Sequence, residues 1–173
     1  SFKVAQYSWS IRGLQRFCKI EGLFMIAVIQ RVKNASVSID NNIHGKCEEG
    51  LMILLGVANE DTVEDAIRLS QKILKLRIFC DENGKMNLSI KDIDGEALIV
   101  SQFTLLANYT KGNRPDYFGA AAPTIAIPLY EKFVELMDQE LRHVGTGVFG
   151  ADMQVSILND GPVTILLDSK QLK

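Results

Sequence analysis

From Met25 onward the spacing of apolar residues changes period along the chain, and that change limits the folds open to it. "MIAVIQRV" and "ASVSID" alternate apolar with polar, "GLMILLGV" is continuously apolar, and turns rich in Asn, Asp and Gly separate them, as in hairpin-forming strands. Between Thr62 and Lys75 the period becomes helical. Val63, Ala66, Ile67, Ser70, Ile73 and Leu74 share one face, and Thr62 with Asp65 has capping-box spacing, Asp standing in for the usual Glu. "RIFC", the turn "DENGK" and "EALIVSQFTLL" return to strand. Pro128 then predicts the start of a second helix through about His143, with Leu129, Phe133, Val134, Met137 and Leu141 inward. Two last strands are expected on either side of Gly161-Pro162. Strands in hairpin runs with two segregated helices predict an α+β domain, its largely antiparallel sheet curled into a partial barrel.

A chain of 173 residues that is 47% hydrophobic suits one domain burying roughly two-thirds of its unfolded surface. The domain is expected to span residues 25–173. Residues 1–24 do not match it: they carry Lys3, Arg12, Arg16 and Lys19 against Glu21 alone, with no apolar run long enough to cross a membrane. We read them as a leader outside the fold, whether a targeting remnant, an added tag or translated upstream sequence. Cys18, Cys47 and Cys80 are odd in number and far apart, which fits a reducing, cytoplasmic compartment without a structural zinc. A net charge of −2 argues against a large basic nucleic-acid surface and leaves a local patch open.

The chemistry is sparse. No Gly-rich phosphate loop follows a strand, no H-E-x-x-H occurs and no acidic cluster has metal-loop spacing, so no cofactor or metal is expected. A Ser-His-Asp device needs a histidine, yet His44 falls in a polar hairpin turn and His143 at a helix end, where it serves equally well as a cation facing the macrodipole. What remains is "SQFTLL", in which strand alternation would place Ser101, Phe103 and Leu105 on one face and Gln102, Thr104 and Leu106 on the other. A strand with satisfied hydroxyls explains it as well as a site does.

The segments taken together say more. "SQFTLL", then "KGNRPDYFGAAAP", then "GTGVFGADMQVSILNDGPVT" resemble the D-aminoacyl-tRNA deacylase family, in which SQFTL and GPVT segments form the active site. "MIAVIQRVKNASVSID", "GLMILLGV" and "RIFCDENGKMNLSI" look like that family too, so the resemblance runs from Met25 to Asp168. It implies a homodimer with active sites at the subunit interface. It also implies hydrolysis of the ester joining a D-amino acid, or glycine mischarged on tRNA(Ala), to the terminal adenosine of tRNA, with L substrates rejected as chiral proofreading.

By residue, the resemblance places the N–H groups around Phe103 and Thr104 at the developing oxyanion, with Ser101 and Gln102 shaping the pocket. Thr104 has two readings, nucleophile or bystander to a substrate-assisted reaction, and the absence of a visible base favours the second. An aminoacyl ester is already reactive and its neighbouring ribose 2′-hydroxyl can orient water, so positioning and oxyanion donors suffice. For tRNA binding we single out Lys111 and Arg114, which a solvated loop explains equally, and Phe149, which is either a stacking partner for the terminal adenine or a core residue. Arg31 and Lys33 are candidates to extend the basic patch. Gly161-Pro162 interrupts a core-forming stretch at a cost to any ladder, which a strand-ending turn would explain. The resemblance implies instead a cis pair that each subunit inserts into its partner's pocket, its carbonyls holding the substrate ammonium so that only an L side chain is excluded. Two other classes remain, a catalytically inert tRNA-end binding module and a small-ligand regulatory protein on the same fold.

Overall fold

The computed structural model describes residues 24–172; the expectation for residues 1–24 lies outside them except at Phe24. Along the chain run β1 (Ile26–Ile39), β2 (Asn42–Cys47), β3 (Gly50–Gly56), α1 (Val63–Lys75), β4 (Phe79–Cys80), β5 (Met86–Leu88), β6 (Glu96–Ser101), α2 (Pro123–Asp138), β7 (Val144–Thr146) and β8 (Gln154–Asp168). The two stretches that alternate before and after Lys33 are one strand, β1, which pairs antiparallel with β3 in its first half, β2 in its second and β8 along its length. Asp40 and Asn41 both have positive φ, the two-residue hairpin turn whose twist matches the strands it joins.

The order β2-β1-β3-β6-β7 is partly parallel: β3 with β6, and β6 with β7. α1 lies on the path from β3 to β6 and α2 on the path from β6 to β7, and connections of that length are what parallel neighbours need. Mixed pairing also accounts for the continuous apolar run in β3. Leu51, Ile53 and Leu55 join Ala97 and Ile99 of β6 in a core under the helices, while Met52 joins Leu98 and Val100 in a second core with Val32, Ala35, Val37 and Cys47. Central strands covered on both faces have no polar side to show. The sheet curls until β2 meets β7. A Cβ on Gly45 would strike the Thr146 carbonyl and one on Gly145 the Lys46 carbonyl, so both ends of the seam need glycine for close approach. His143 Nε2 lies 3.0 Å from the same Lys46 carbonyl. The expected α+β partial barrel with two helices is therefore the observed one.

α1 starts where the sequence predicts, and the Asp65 carboxylate accepts the Thr62 N–H (2.9 Å) and the Ser169 hydroxyl (2.8 Å). α2 departs from expectation at both ends. It opens at Pro123, the first-turn proline whose missing N–H costs nothing there, and Pro128 sits inside the helix. The buried stripe Ala126, Leu129, Tyr130, Phe133 and Met137 offsets that defect. The helix ends at Asp138, so His143 is no helix-end cation, and His44 lies within β2 rather than in the turn.

Before β1, buried Asp61 accepts the N–H groups of Met25 (2.9 Å) and Ala58 (2.6 Å). Burial pushes its carboxyl up to about 6 despite those bonds. The folded chain thus keeps a proton that the unfolded chain releases near pH 4, and the stability owed to it is lost as pH rises between about 4 and 6. Relative to Asp61→Asn, the wild type is expected to lose at most about 3 kcal/mol over that range in urea unfolding, and nothing further above it.

Candidate active site

Beyond Ser101 the strand alternation expected through "SQFTLL" stops. Gln102 donates its N–H to the Leu55 carbonyl at 2.8 Å, extending the parallel pairing by one bond, and its backbone then turns (φ −145°, ψ 83°) into the 3₁₀ turn Phe103–Leu106. Leu106 is fully buried and anchors the turn, and the Leu105 N–H closes on the Gln102 carbonyl. The first N–H groups of such a turn have no acceptor within it. Those of Phe103 and Thr104 make no backbone hydrogen bond among the described residues, and the rings and hydroxyls around them are exposed.

A cavity of about 300 Å³ opens beside this turn, walled by Ser101, Gln102, Phe103, Tyr130, Phe149 and Asp152 among others. Its floor comes from the two parallel strands, one side from α2, and the far side from the segment that leads into β8. Four of the nine residues predicted for the site thus line one cavity. Phe149 is half-buried, packed on the core and edge-on to Tyr130 with ring centroids 6.3 Å apart, so it is both core and cavity wall. Thr104 sits just outside the lining, and its Oγ accepts from the Gln102 side-chain amide. Lys111 and Arg114 are exposed in the loop that follows and do not reach the cavity.

Sequence reasoning missed Tyr130 and Asp152. The Tyr130 hydroxyl donates to the Ile99 carbonyl at 2.8 Å, and burial pushes its pKa up to about 12, which keeps the phenol neutral and structural. A tyrosine on the apolar stripe of α2 was the available signal. Asp152 is exposed at the cavity rim. Cys47 is no alternative nucleophile, since burial pushes its thiol up to about 12. Among the described residues no cluster of three or more His, Cys, Asp or Glu side chains is arranged to hold a metal.

Gly161 and Pro162 lie elsewhere on this chain. The two strands expected around them are one, β8, and the ladder with β1 steps from Gln30↔Thr164 to Val32↔Asn159, so Asp160–Val163 leave it as an excursion. That resolves the liability of a proline in a core-forming stretch: no ladder bond is asked of it. The Gly161–Pro162 peptide is cis and both residues are exposed. Buried Arg31 fixes the excursion from below. Its Nε donates to the Asp160 carbonyl at 3.1 Å and its Nη1 to the Ile78 carbonyl at 2.7 Å, with the Asp160 carboxylate 3.5 Å away. Lys33 pairs with Glu49 and Asp160. Arg31 is thus committed within the fold, whereas Lys33 stays at the surface with its side chain 53% exposed.

A sequence profile described as D-Tyr-tRNA(Tyr) deacylase matches residues 28–168. The D-aminoacyl-tRNA deacylase of Flavobacterium psychrophilum is 58% identical over 147 residues, 84% of this chain and 98% of the relative, and that of a Sulfurihydrogenibium species is 59% identical over 148 residues, 86% and 100%. Among solved structures, the c-Myc DNA Unwinding Element Binding Protein superposes with a TM-score of 0.78 at 42% identity, covering 83% of this chain and 97% of its own. A probable eukaryotic D-amino acid tRNA deacylase shares the fold at a TM-score of 0.72 and 17% identity, covering 83% and 98%.

Proposed function

The chain belongs to the D-Tyr-tRNA(Tyr) deacylase family, and we infer from that membership and the cavity chemistry that it hydrolyses the ester bond of D-aminoacyl-tRNA, releasing free D-amino acid and tRNA as a step of translational proofreading. The observation that carries the mechanism is the pair of N–H groups, Phe103 and Thr104, that open a turn at the mouth of a cavity whose walls, among the described residues, offer no histidine or lysine.

Water attacks the ester carbonyl carbon. The carbonyl oxygen takes up the negative charge facing the two N–H groups, and the bond to the ribose 3′-oxygen then breaks, that oxygen leaving with one of the water's protons while the other passes to solvent and the amino acid departs as carboxylate. The neighbouring 2′-hydroxyl orients and activates the water. Ser101 and Gln102 shape the cavity, and Gln102 also holds the Thr104 hydroxyl, an amide partner that cannot take its proton. Thr104 is therefore a bystander to bond making. Phe149 presents a ring face for the terminal adenine, and Lys111 with Arg114 supplies phosphate contacts.

The active unit in this reading is a homodimer. Among the described residues β8 pairs only with β1, and it leaves Val155 and Ile157 exposed on one face and Leu158 and Leu166 on the other, an apolar edge strand that a second copy would cover. Each subunit then lends Gly161-Pro162 to its partner's cavity, where the backbone carbonyls hold the α-ammonium, leave no room for an L side chain and admit glycine, so glycyl-tRNA(Ala) is a substrate as well. Residues 1–24 take no part and the reaction is cytoplasmic. A chain beginning at Met25 is expected to match the full chain in thermal midpoint and deacylation rate, and a substantial loss of either would assign those residues a role.

Incubation with D-tyrosyl-tRNA and L-tyrosyl-tRNA tests the function. Ester loss from the D form alone is the expected result; binding without loss would indicate an inert tRNA-end module, and neither would indicate a small-ligand regulator.

A further inference from the structure

Among the described residues, the four exposed aromatic side chains all fall between Phe103 and Phe118: Phe103 (55% exposed), Tyr109 (73%), Tyr117 (38%) and Phe118 (86%). Exposed aromatic rings grouped in one short segment are a binding feature rather than stray surface. The group is continuous with the active-site cavity. Phe103 forms part of the cavity wall and meets Tyr117 edge-on, ring centroids 5.0 Å apart. Lys111 and Arg114 stand in the same loop, and neither enters an ion pair among the described residues.

Nor is this a loose loop that happens to carry rings. Asn108 and Asp116 exchange both backbone bonds of an antiparallel bridge (2.8 and 2.9 Å), and Tyr109 and Tyr117 each follow one of its members. The Asn59 side chain donates to the Phe118 carbonyl at 2.7 Å, the Asn59 N–H to the Gly119 carbonyl at 3.2 Å, and the Ala121 N–H to the Val57 carbonyl at 2.9 Å. The backbone under Phe118 is thus held to the β3–α1 connection while its ring stands in solvent. A ring presented on fixed backbone forfeits little entropy when something stacks on it.

We propose that Phe103, Tyr109, Tyr117 and Phe118, with Lys111 and Arg114, form a stacking platform for the unpaired nucleotides that precede the terminal adenosine of the tRNA acceptor end. The inference rests on the deacylase reading, which puts that adenosine in the cavity. A strand leaving the cavity past Phe103 meets aromatic faces for its bases and the exposed cations Lys111 and Arg114 for its phosphates, the combination that holds single strands without regard to sequence.

The test compares D-tyrosyl-tRNA with D-tyrosyl-adenosine, which lacks the preceding nucleotides, using the full chain. For Phe118→Ala and Tyr109→Ala, the ratio of kcat/KM on the tRNA to that on the adenosine ester is expected to fall roughly tenfold per stacked base, through KM. Phe118→Trp restores it. A fluorescent four-nucleotide RNA ending in CCA, followed by anisotropy, is expected to lose affinity in step. An unchanged ratio, an equal loss on both substrates, or dissociation of a dimer by Phe118→Ala would overturn the platform, the last because a second copy would then cover the ring. Should wild type leave D-tyrosyl-tRNA intact, the deacylase reading falls, and the anisotropy series alone decides whether these rings bind single-stranded RNA.

Discussion

Gly161→Ala is expected to lower kcat/KM on D-tyrosyl-tRNA by about 10²-fold, the loss typical of a reacting group displaced by an ångström, with the circular dichroism spectrum unchanged. At φ +128° Gly161 occupies backbone space that L side chains rarely adopt. A Cβ there would stand 3.0 Å from Arg31 Nη2 and 3.0 Å from Val163 Cγ2. The valine can rotate away. Arg31 has less freedom, because its guanidinium is buried and already donates to the Asp160 and Ile78 carbonyls. Strain and contact together shift the Asp160–Val163 excursion and with it any carbonyl it offers to a substrate ammonium. Since the proposed selector is backbone, substitutions of cavity side chains are expected to leave the D/L preference largely intact. A Gly161→Ala enzyme with full activity and unchanged preference would refute the assignment of chiral selection to this pair.

A second large effect is expected in the substrate rather than the protein. D-tyrosyl-tRNA ending in 2′-deoxyadenosine, with its amino acid on the 3′ oxygen, should be hydrolysed about 10²- to 10⁴-fold more slowly, the range that a positioned acid or base commonly contributes. Thr104→Ala should keep most of its rate on the normal substrate. The two outcomes belong together: the Gln102 amide that donates to the Thr104 Oγ is no base, and the proposed reaction assigns activation of the water to the substrate's own hydroxyl. A collapse of roughly 10⁴-fold in folded Thr104→Ala, with the deoxy substrate little affected, would instead indicate covalent catalysis.

Features decided locally were legible in the sequence. Thr62 with Asp65 marked the start of α1 because capping lies within four residues, and the period-two stretches marked β1 because one of its faces is less buried than the other. What depended on distant partners was not legible. A continuous apolar run such as β3 does not say whether its neighbour runs parallel, and Pro128 looked like a helix start because the buried stripe that carries α2 through it becomes visible only against the sheet. "SQFTLL" read as strand since alternation cannot register the turn that Leu106 and the Gln102 backbone impose. Arg31 resembled a surface cation, and its partners Ile78 and Asp160 lie 47 and 129 residues away. The cavity-lining residues named beforehand, Ser101, Gln102, Phe103 and Phe149, came from motif resemblance, whereas Tyr130 and Asp152 needed the fold.

The excursion in β8 also restricts how this region can change length. Between Gln30↔Thr164 and Asn34↔Leu158, four steps along β1 face six along β8, an even surplus, so the strand on both sides of Gly161-Pro162 keeps the same alternation of faces. Strand side chains invert with every odd step. Insertion or deletion of a single residue here must be absorbed inside the excursion, displacing the Gly-Pro pair, or passed to the flank, where it would exchange Leu167, 7% exposed, with Leu166, 64% exposed. Length variants tolerated at this position are therefore those that change it by pairs of residues.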